Sequence, residues 1–346
     1  MTPTEIARSI ITSYDGPQLR IMEVCGTHTH AIFRLGIRSL LPKNITLISG
    51  PGCPVCVTPV SYIDEALYLA KHDVTLCTFG DLLRVPGTHG SLATARSEGA
   101  NVQIVYTALD AAQYAADHPD EHVTFLSVGF ETTTPAACLA VQQAEAQHLT
   151  NFTLLTANKT MDAAYLAMAD SCDAYLYPGH VCAITGAKVP RALTEKGISG
   201  AIAGFTAAEL LTAIAAIVKK SQTGKPFLVN AYPRVVTEEG SPAARNLFHT
   251  YLEPVDAEWR GIGMLKNSGL ALRNAYVAYD ARRVHDIPPQ EGRANPACRC
   301  GDILRGACTP PACPLFGKTC TPEHPIGACM VSREGTCSAW YQYSSL

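Results

Sequence analysis

The stretch LRIMEVCGTHTH, residues 19–30, runs from a short apolar segment directly into a loop with one cysteine and two histidines. A short apolar run that ends in glycine is typical of a buried strand and the turn that follows it. A helix-like pattern over residues 29–41 comes next. This stretch therefore predicts a strand, a polar loop and a helix in succession.

The same succession continues to about residue 230. Strands are predicted at 19–24, 45–49, 74–79, 102–106, 123–128, 152–156, 174–177, 201–203 and 227–229, and helices at 29–41, 60–72, 135–148, 161–169 and 207–220. Alternation of this kind is typical of parallel sheets covered by helices. We predict an α/β fold with two parallel-sheet units facing a cleft, followed by a loop-rich C-terminal region.

The polar segment DHPDEH, residues 117–122, is interpreted as the joint between the two units. The predicted domains are then residues 17–118, 119–231 and 232–346. A helix within residues 1–16 is expected to pack on the third domain.

Five polar loops directly follow predicted strands: CGTHTH (25–30), GPGCPVC (50–56), GDLLRVPG (80–87), GFETTTP (129–135) and PGHV (178–181). The carboxyl ends of parallel strands form the ligand crevice of an open sheet. Each glycine alone is explained by a tight turn. Their coincidence with cysteine, histidine and glutamate favours a functional cleft.

Cys53 and Cys56 form a CPVC motif just before a helix. A helix N-terminus stabilises a thiolate, so this placement favours a dithiol that cycles with a disulfide. The alternative is half of a zinc site, which is less favoured because no second CxxC accompanies it.

The remaining loop residues allow two interpretations each. Cys25 and His28 could be a nucleophile and its base or ligands to iron. Glu131, next to Thr132 at a predicted helix start, could move protons, although helix capping by a threonine is the simpler interpretation. His180 is ambiguous in the same way.

The last 49 residues contain seven of the fourteen cysteines in Gly/Pro-rich sequence: Cys298, Cys300, Cys308, Cys313, Cys320, Cys329 and Cys337. Such a tail needs disulfides, zinc or an iron-sulfur cluster to fold. The N-terminus does not resemble a signal peptide and no apolar run is long enough to cross a bilayer, so we expect a cytoplasmic protein with metal-bound or redox-active cysteines. A net charge of −3 without a basic block argues against nucleic acid.

Several longer blocks together resemble one family, the HypD hydrogenase maturation factors. They are MEVCGTHTHAIF, GPGCPVCVTP, CTFGDLLRVPG, VGFETTTP, PGHV, CPLFGKTCTP and MVSREGTCSAWYQY, spread over residues 22–343. The resemblance implies a scaffold that, with its partner HypC, holds the iron of the [NiFe]-hydrogenase site while two cyanides and one carbon monoxide are attached. The cyanide would come from HypE, charged by HypF, and HypC would connect the scaffold to the hydrogenase large subunit.

The resemblance also implies roles for individual residues. Cys25 matches the thiol that binds the Fe(CN)2CO iron, with His28 close by, and Cys53 with Cys56 matches a redox-active dithiol. The positions that match cleft residues are Glu131, Thr132 and His180. The family spacing Cx12Cx6Cx16C selects the ligands of a [4Fe-4S] cluster as Cys300, Cys313, Cys320 and Cys337.

Three further tail cysteines keep the ligand set open. Cys298, Cys308 and Cys329 lie in the same stretch, and Cys329 could replace Cys320 or Cys337. Two functions therefore remain: an assembly scaffold with an electron relay, or a free-standing thiol-disulfide oxidoreductase whose tail binds structural zinc.

Overall fold

The nine predicted strands are all present in the computed structural model, which describes residues 1–343. Two additional strands follow them. The strands are β1 (Leu19–Glu23), β2 (Ile45–Ser49), β3 (Val74–Thr78), β4 (Val102–Ile104), β5 (His122–Ser127), β6 (Phe152–Thr156), β7 (Ala174–Pro178), β8 (Gly200–Ala203), β9 (Leu228–Asn230), β10 (Leu252–Trp259) and β11 (Gly263–Leu272).

Helices connect and cover these strands. They are α1 (Pro3–Thr12), α2 (Gly26–Arg34), α3 (Pro54–Val57), α4 (Val60–Ala70), α5 (Leu92–Ser97), α6 (Ala108–Asp117), α7 (Thr134–Ala146), α8 (Met161–Ala167), α9 (Gly179–Thr185), α10 (Lys188–Glu195), α11 (Ala207–Ser221), α12 (Pro242–Tyr251), α13 (Ala281–Val284), α14 (Cys300–Leu304), α15 (Ala328–Val331) and α16 (Thr336–Tyr343). Short 3-10 helices occupy Ile37–Leu40, Gly80–Arg84, Ala169–Ser171, Asn274–Tyr279 and Pro310–Ala312.

The strands form two parallel sheets and one antiparallel hairpin. The five-stranded sheet has the order β2-β1-β7-β8-β9, the four-stranded sheet has the order β4-β3-β5-β6, and β10 pairs with β11. One face of each sheet contributes to a shared central core, where Met22 and Tyr175 of one sheet and Leu76 and Leu126 of the other are buried. The predicted α/β class with two parallel-sheet units is confirmed.

The sheet pairing divides the chain at different places than the predicted boundary between residues 118 and 119. The five-stranded unit combines residues 19–49 with 174–230, whereas the four-stranded unit uses residues 74–156. The segment interpreted as a joint is the turn between α6 and β5. The Asn151 side chain fixes this turn by donating to the carbonyl oxygens of Ala115, His118 and Glu121.

The N-terminal helix also lies elsewhere than expected. Its buried residues Ala7 and Ile11 pack in the same core as Leu210 and Ile214 of α11, on the outer face of the five-stranded sheet. A capping box between Thr2 and Glu5 starts this helix. It therefore belongs to the first α/β unit and does not pack on the C-terminal region.

The C-terminal region is more regular than its composition suggests. Helix α12 and the β10-β11 hairpin precede the tail, and Trp259 at the end of β10 is fully buried and donates to Ser268. The tail then returns to the five-stranded unit, where Trp340 of α16 packs edge-on against Phe33 of α2. Within residues 1–343 no helix is long and apolar enough to span a bilayer.

Candidate metal and thiol site

Three of the predicted loops meet at the carboxyl edge of the five-stranded sheet because β1, β2 and β7 are neighbours there. The Gly26 amide donates to the Gly52 carbonyl oxygen over 3.2 Å, and the Cys25 thiol lies 3.7 Å from Nε2 of His180. Gly52 packs directly on the Cys25 backbone, where a side chain would clash. The loops 25–30, 50–56 and 178–181 therefore form one site, which is three of the five loops predicted to share a rim. The loops 80–87 and 129–135 follow β3 and β5 of the other sheet.

His28 is fully buried beneath this site. Its Nε2 lies 3.0 Å from the Gly204 carbonyl oxygen, which can only accept, so Nε2 carries the proton. Burial, aided by His180, lowers the pKa of His28 to about 4, and the imidazole is neutral at pH 7. Its Nδ1 lone pair is buried without a hydrogen-bond partner among residues 1–343. Such an atom is a ready ligand for a metal ion.

His180 resembles His28 in its environment. The Phe205 ring packs against both imidazoles, with centroid distances of 4.7 Å to His28 and 5.0 Å to His180. Burial lowers the pKa of His180 to about 4 as well. Both histidines are therefore neutral near pH 7, and they can offer lone pairs instead of positive charge.

Cys25 is held as a thiol by its surroundings. Its side chain is buried, and burial raises its pKa to about 12, although the backbone of His28 stabilises the thiolate in part. A metal ion that binds here must displace the thiol proton. A thiolate and an imidazole nitrogen fit the borderline-soft preference of iron, so the residues present suit an iron ion as cargo.

Glu131 and Thr132 point to different places. One oxygen of Glu131 accepts from the Met161 amide at the start of α8 over 2.8 Å, and the other is buried without a partner among residues 1–343. Burial raises the pKa of Glu131 to about 7. Burial, together with the nearby Glu131 carboxylate, also raises the pKa of Cys182 on α9. Thr132 is exposed and lines a separate cavity of about 170 Å³.

The capping of these two helices differs from the simplest expectation. Thr133 precedes α7 without a side-chain capping bond, and Thr134 donates back to the Phe130 carbonyl oxygen. Glu131 instead satisfies the first amide of α8. The Glu131 carboxylate therefore caps the start of α8, although Glu131 itself lies just before α7.

The CPVC dithiol is buried like the Cys25 thiol. The Cys56 amide donates to the Cys53 sulfur over 3.3 Å at the start of α3, which confirms its predicted position before a helix. Burial raises the pKa of Cys56 well above its ordinary value. Helix α15 packs on α3 and brings Cys329 close to Cys56, where the Cys329 thiol offsets part of this rise in pKa.

The contact continues from Cys329 into the tail. The sulfurs of Cys300 and Cys329 lie 2.7 Å apart. Cys300 and Cys329 are therefore direct neighbours. Together with Cys56, to which α15 brings Cys329 close, they form a row of neighbouring thiols, the thiol row, between the dithiol and the tail.

Six tail cysteines line one small apolar cavity together with side chains such as Ile303 and Phe316: Cys298, Cys300, Cys313, Cys320, Cys329 and Cys337. Cys308 is outside this lining and half-buried. Across residues 1–343, no three His, Cys, Asp or Glu side chains surround a single metal ion. A cluster of several irons needs four thiolates around a larger volume, and an apolar cavity with six cysteines offers that donor set.

Some functional contacts were not predicted from the sequence. Glu334 accepts from the Thr27 hydroxyl over 2.7 Å and anchors the tail beside Cys25. It lies within the quoted block MVSREGTC, which was the available signal. The packing of Phe205 against both histidines and the pairing of Cys300 with Cys329 had no signal in spacing or periodicity.

Fold and site together define a class: a two-sheet α/β protein that places a buried thiol with neutral imidazoles at one sheet edge and connects a dithiol to a cysteine-rich tail. Comparison with known proteins identifies the family. The family model HypD, described as the hydrogenase formation hypA family, matches residues 3–344.

Curated relatives agree over nearly the whole chain. The hydrogenase maturation factor HypD of Azotobacter vinelandii is 42% identical over 99% of this chain and 94% of its own length. The proteins of the same name from Escherichia coli K12 and Cupriavidus necator are 41% and 39% identical, over 94% and 95% of this chain and 89% and 90% of their own lengths. The chain belongs to the HypD family of hydrogenase maturation factors.

Proposed function

We propose that this chain is the scaffold on which, together with HypC, iron is held while the Fe(CN)2CO group of a [NiFe]-hydrogenase is assembled. The single observation that carries the proposal is the edge formed by three loops, where the buried Cys25 thiol lies beside His180 and the Nδ1 of His28 has no partner among residues 1–343. In this proposal iron is cargo, and a second thiolate from HypC would share it. HypE, charged by HypF, would deliver cyanide, and HypC would carry the product to the hydrogenase large subunit.

The neutral histidines support this role. A positively charged imidazole beside Cys25 would repel a cationic metal, whereas a neutral one adds a ligand or a hydrogen bond. Glu131, with a pKa of about 7 and one carboxyl oxygen without a partner among residues 1–343, could take up or release a proton near pH 7. We assign proton handling to Glu131 and the role of a neutral ligand or hydrogen-bond partner beside Cys25 to His180, whereas Thr132 is exposed and the proposal gives it no role inside the site.

The proposed electron path follows the contacts between sulfurs. A Cys53–Cys56 disulfide opens when the Cys329 thiolate attacks Cys56, which releases the Cys53 thiolate and forms a mixed disulfide. The Cys300 thiolate then attacks Cys329, freeing Cys56 and leaving a Cys300–Cys329 disulfide. Two electrons and two protons restore that pair to thiols.

The tail residues are proposed to hold a [4Fe-4S] cluster, which would supply these electrons one at a time. The spacing selected Cys300, Cys313, Cys320 and Cys337, but Cys300 faces Cys329. Cys298 lines the same cavity two residues earlier. In place of Cys300, we propose Cys298 as the fourth ligand.

A free-standing thiol-disulfide oxidoreductase with a zinc tail is less well supported. Cys56 is completely buried, so an external disulfide cannot reach this thiol directly. The neighbour of Cys56 is instead a thiol of this chain. In this proposal, disulfide exchange at Cys56 therefore involves a thiol of the same chain.

The test is infrared spectroscopy of the protein co-purified anaerobically with HypC. The proposal expects bands of metal-bound cyanide and carbon monoxide that disappear in Cys25→Ala. Cys138→Ala is the matched control, because Cys138 is equally buried but lies in the outer core of the four-stranded unit. Bands that persist in Cys25→Ala would overturn the proposal.

A further inference from the structure

A second cavity, of about 540 Å³, opens on the other side of the tail cysteines. It lies between the α14 region, the end of β10 and the loop at residues 86–88. Four guanidinium groups and two thiols line it, namely Arg260, Arg293, Arg299, Arg305, Cys298 and Cys300. The proposed function gives this cavity no role.

The charges around the cavity do not cancel. Asp302 pairs with Arg299 over 2.9 Å and with Arg305 over 2.7 Å. Glu291, from an adjoining cavity, pairs with Arg293 over 3.1 Å. Asp64, from the same adjoining cavity, accepts from the amide and hydroxyl of Thr88. Four positive groups therefore face three carboxylates, and the surface beside the tail cysteines carries a small excess of positive charge.

Arg260 is the inner member of this group. Its Nε donates to the Thr58 carbonyl oxygen over 2.7 Å, and its backbone amide donates to the Val57 carbonyl oxygen over 2.8 Å. Its Nη2 is buried and has no hydrogen-bond partner among residues 1–343. The guanidinium is thus fixed in place, with one donor unused, in the wall that also contains Cys298.

The other three guanidiniums lie at the rim. The side chains of Arg293, Arg299 and Arg305 are 75%, 44% and 41% exposed, and each is already paired with a carboxylate. A small anion would need several free donors converging in the interior, but only Arg260 provides one. An exposed rim of this kind instead complements a broad acidic surface.

We propose that a small iron-sulfur protein with an acidic surface docks on this arginine rim and donates electrons to the tail beside Cys298. The inference rests on the proposed function, which requires an electron source. Each encounter transfers one electron. Two encounters, with two protons from water, convert one disulfide of the chain to two thiols and leave two donor molecules oxidised.

The first test is binding. The probe is a plant-type [2Fe-2S] ferredoxin, titrated calorimetrically and anaerobically into the cluster-loaded protein. The proposal expects Arg293→Glu combined with Arg299→Glu to weaken binding about tenfold or more, and 0.5 M salt to weaken binding of the unsubstituted protein similarly. Arg191→Glu is the matched control, because Arg191 is an exposed, carboxylate-paired arginine on α10 of the five-stranded unit.

The second test separates this inference from the proposed function. Reduced methyl viologen, a cation, should reduce the Cys53–Cys56 disulfide equally well in all variants, whereas reduced ferredoxin should act about tenfold more slowly on the charge-reversed protein. Arg293→Glu alone is a second variant, because this residue lies on an exposed loop and its substitution should leave the tail folded. The iron content of each variant shows whether the cluster has been lost.

Two outcomes would overturn the docking proposal. One is ferredoxin binding and reduction that are unaffected by charge reversal. The other is tight binding of inorganic pyrophosphate without binding of ferredoxin, which would identify a small-anion site. Failure of methyl viologen to reduce the dithiol would instead contradict the proposed electron path.

Discussion

The thiol of Cys25 and the thiols of the tail are similarly buried but have different neighbours. Cys25 faces an imidazole at 3.7 Å, whereas Cys300 faces the sulfur of Cys329 at 2.7 Å. A thiol beside neutral nitrogen ligands suits a single metal ion, and thiols in contact suit disulfide exchange. We therefore expect the neighbours of each thiol, more than its burial, to separate the proposed iron binding at Cys25 from the proposed thiol exchange in the tail.

The largest expected effect comes from removing a proposed cluster ligand of the tail. Cys313→Ser should lose the cluster and destabilise the tail by several kcal/mol, because metal binding is coupled to folding there. Iron and sulfide per chain, with limited proteolysis, measure this effect. The two α/β units should stay protected, as they should in the control Cys138→Ala. Full iron content in Cys313→Ser would contradict the proposed cluster site.

Next in size is the interruption of the thiol row. Cys329→Ser should keep its cluster and its folded structure but slow reduction of the Cys53–Cys56 disulfide about a hundredfold or more, because a hydroxyl cannot exchange with a disulfide. Mass spectrometry of alkylated peptides over time follows the reduction. Cys308→Ser, outside the cavity lining, should reduce at the normal rate. Equal rates in both variants would exclude Cys329 from the path.

A sharper distinction separates Cys298 from Cys300. Cys298→Ser should lower iron content, whereas Cys300→Ser should keep iron and block reduction of the dithiol. The two residues are two positions apart and line the same cavity, so each is the other's control. The reverse result would restore the ligand set predicted from the spacing.

The smallest effect concerns Glu131. Its pKa is raised to about 7 in the folded protein, so the protonated form is favoured there and stability falls as pH rises from about 4.5 to 7. Glu131→Gln keeps an acceptor for the Met161 amide without this dependence. Between pH 4.5 and 7, the free energy of unfolding of Glu131→Gln, measured with urea, should rise relative to that of the parent protein by at most about 3 kcal/mol. A difference that stays constant with pH would show that folding does not raise the pKa of Glu131.

The strands were predictable because each is a short apolar run buried on a sheet. Their pairing was not, because β1 pairs with β7, which lies some 150 residues further along the chain. The polar turn at 117–122 resembled a domain joint, since its anchor, Asn151, also lies far away. The hairpin was missed although its turn, RGIG at residues 260–263, offered a signal.

The site was partly predictable for a related reason. Loops after neighbouring parallel strands meet at one edge, which placed Cys25, Cys53 and His180 together. Burial and hydrogen-bond partners depend on the whole fold, so the free nitrogen of His28 and the separate position of Thr132 could not be predicted. The contact of Cys300 with Cys329 joins two short helices that spacing alone does not orient.

The central claim is that Cys25 and the tail serve separate iron sites. Mössbauer spectroscopy of ⁵⁷Fe-enriched complex with HypC tests it directly. The account predicts that Cys25→Ala loses only the low-spin iron that carries cyanide and carbon monoxide and keeps the full [4Fe-4S] signal. Loss of the cluster signal in Cys25→Ala, or survival of the low-spin iron, would contradict it.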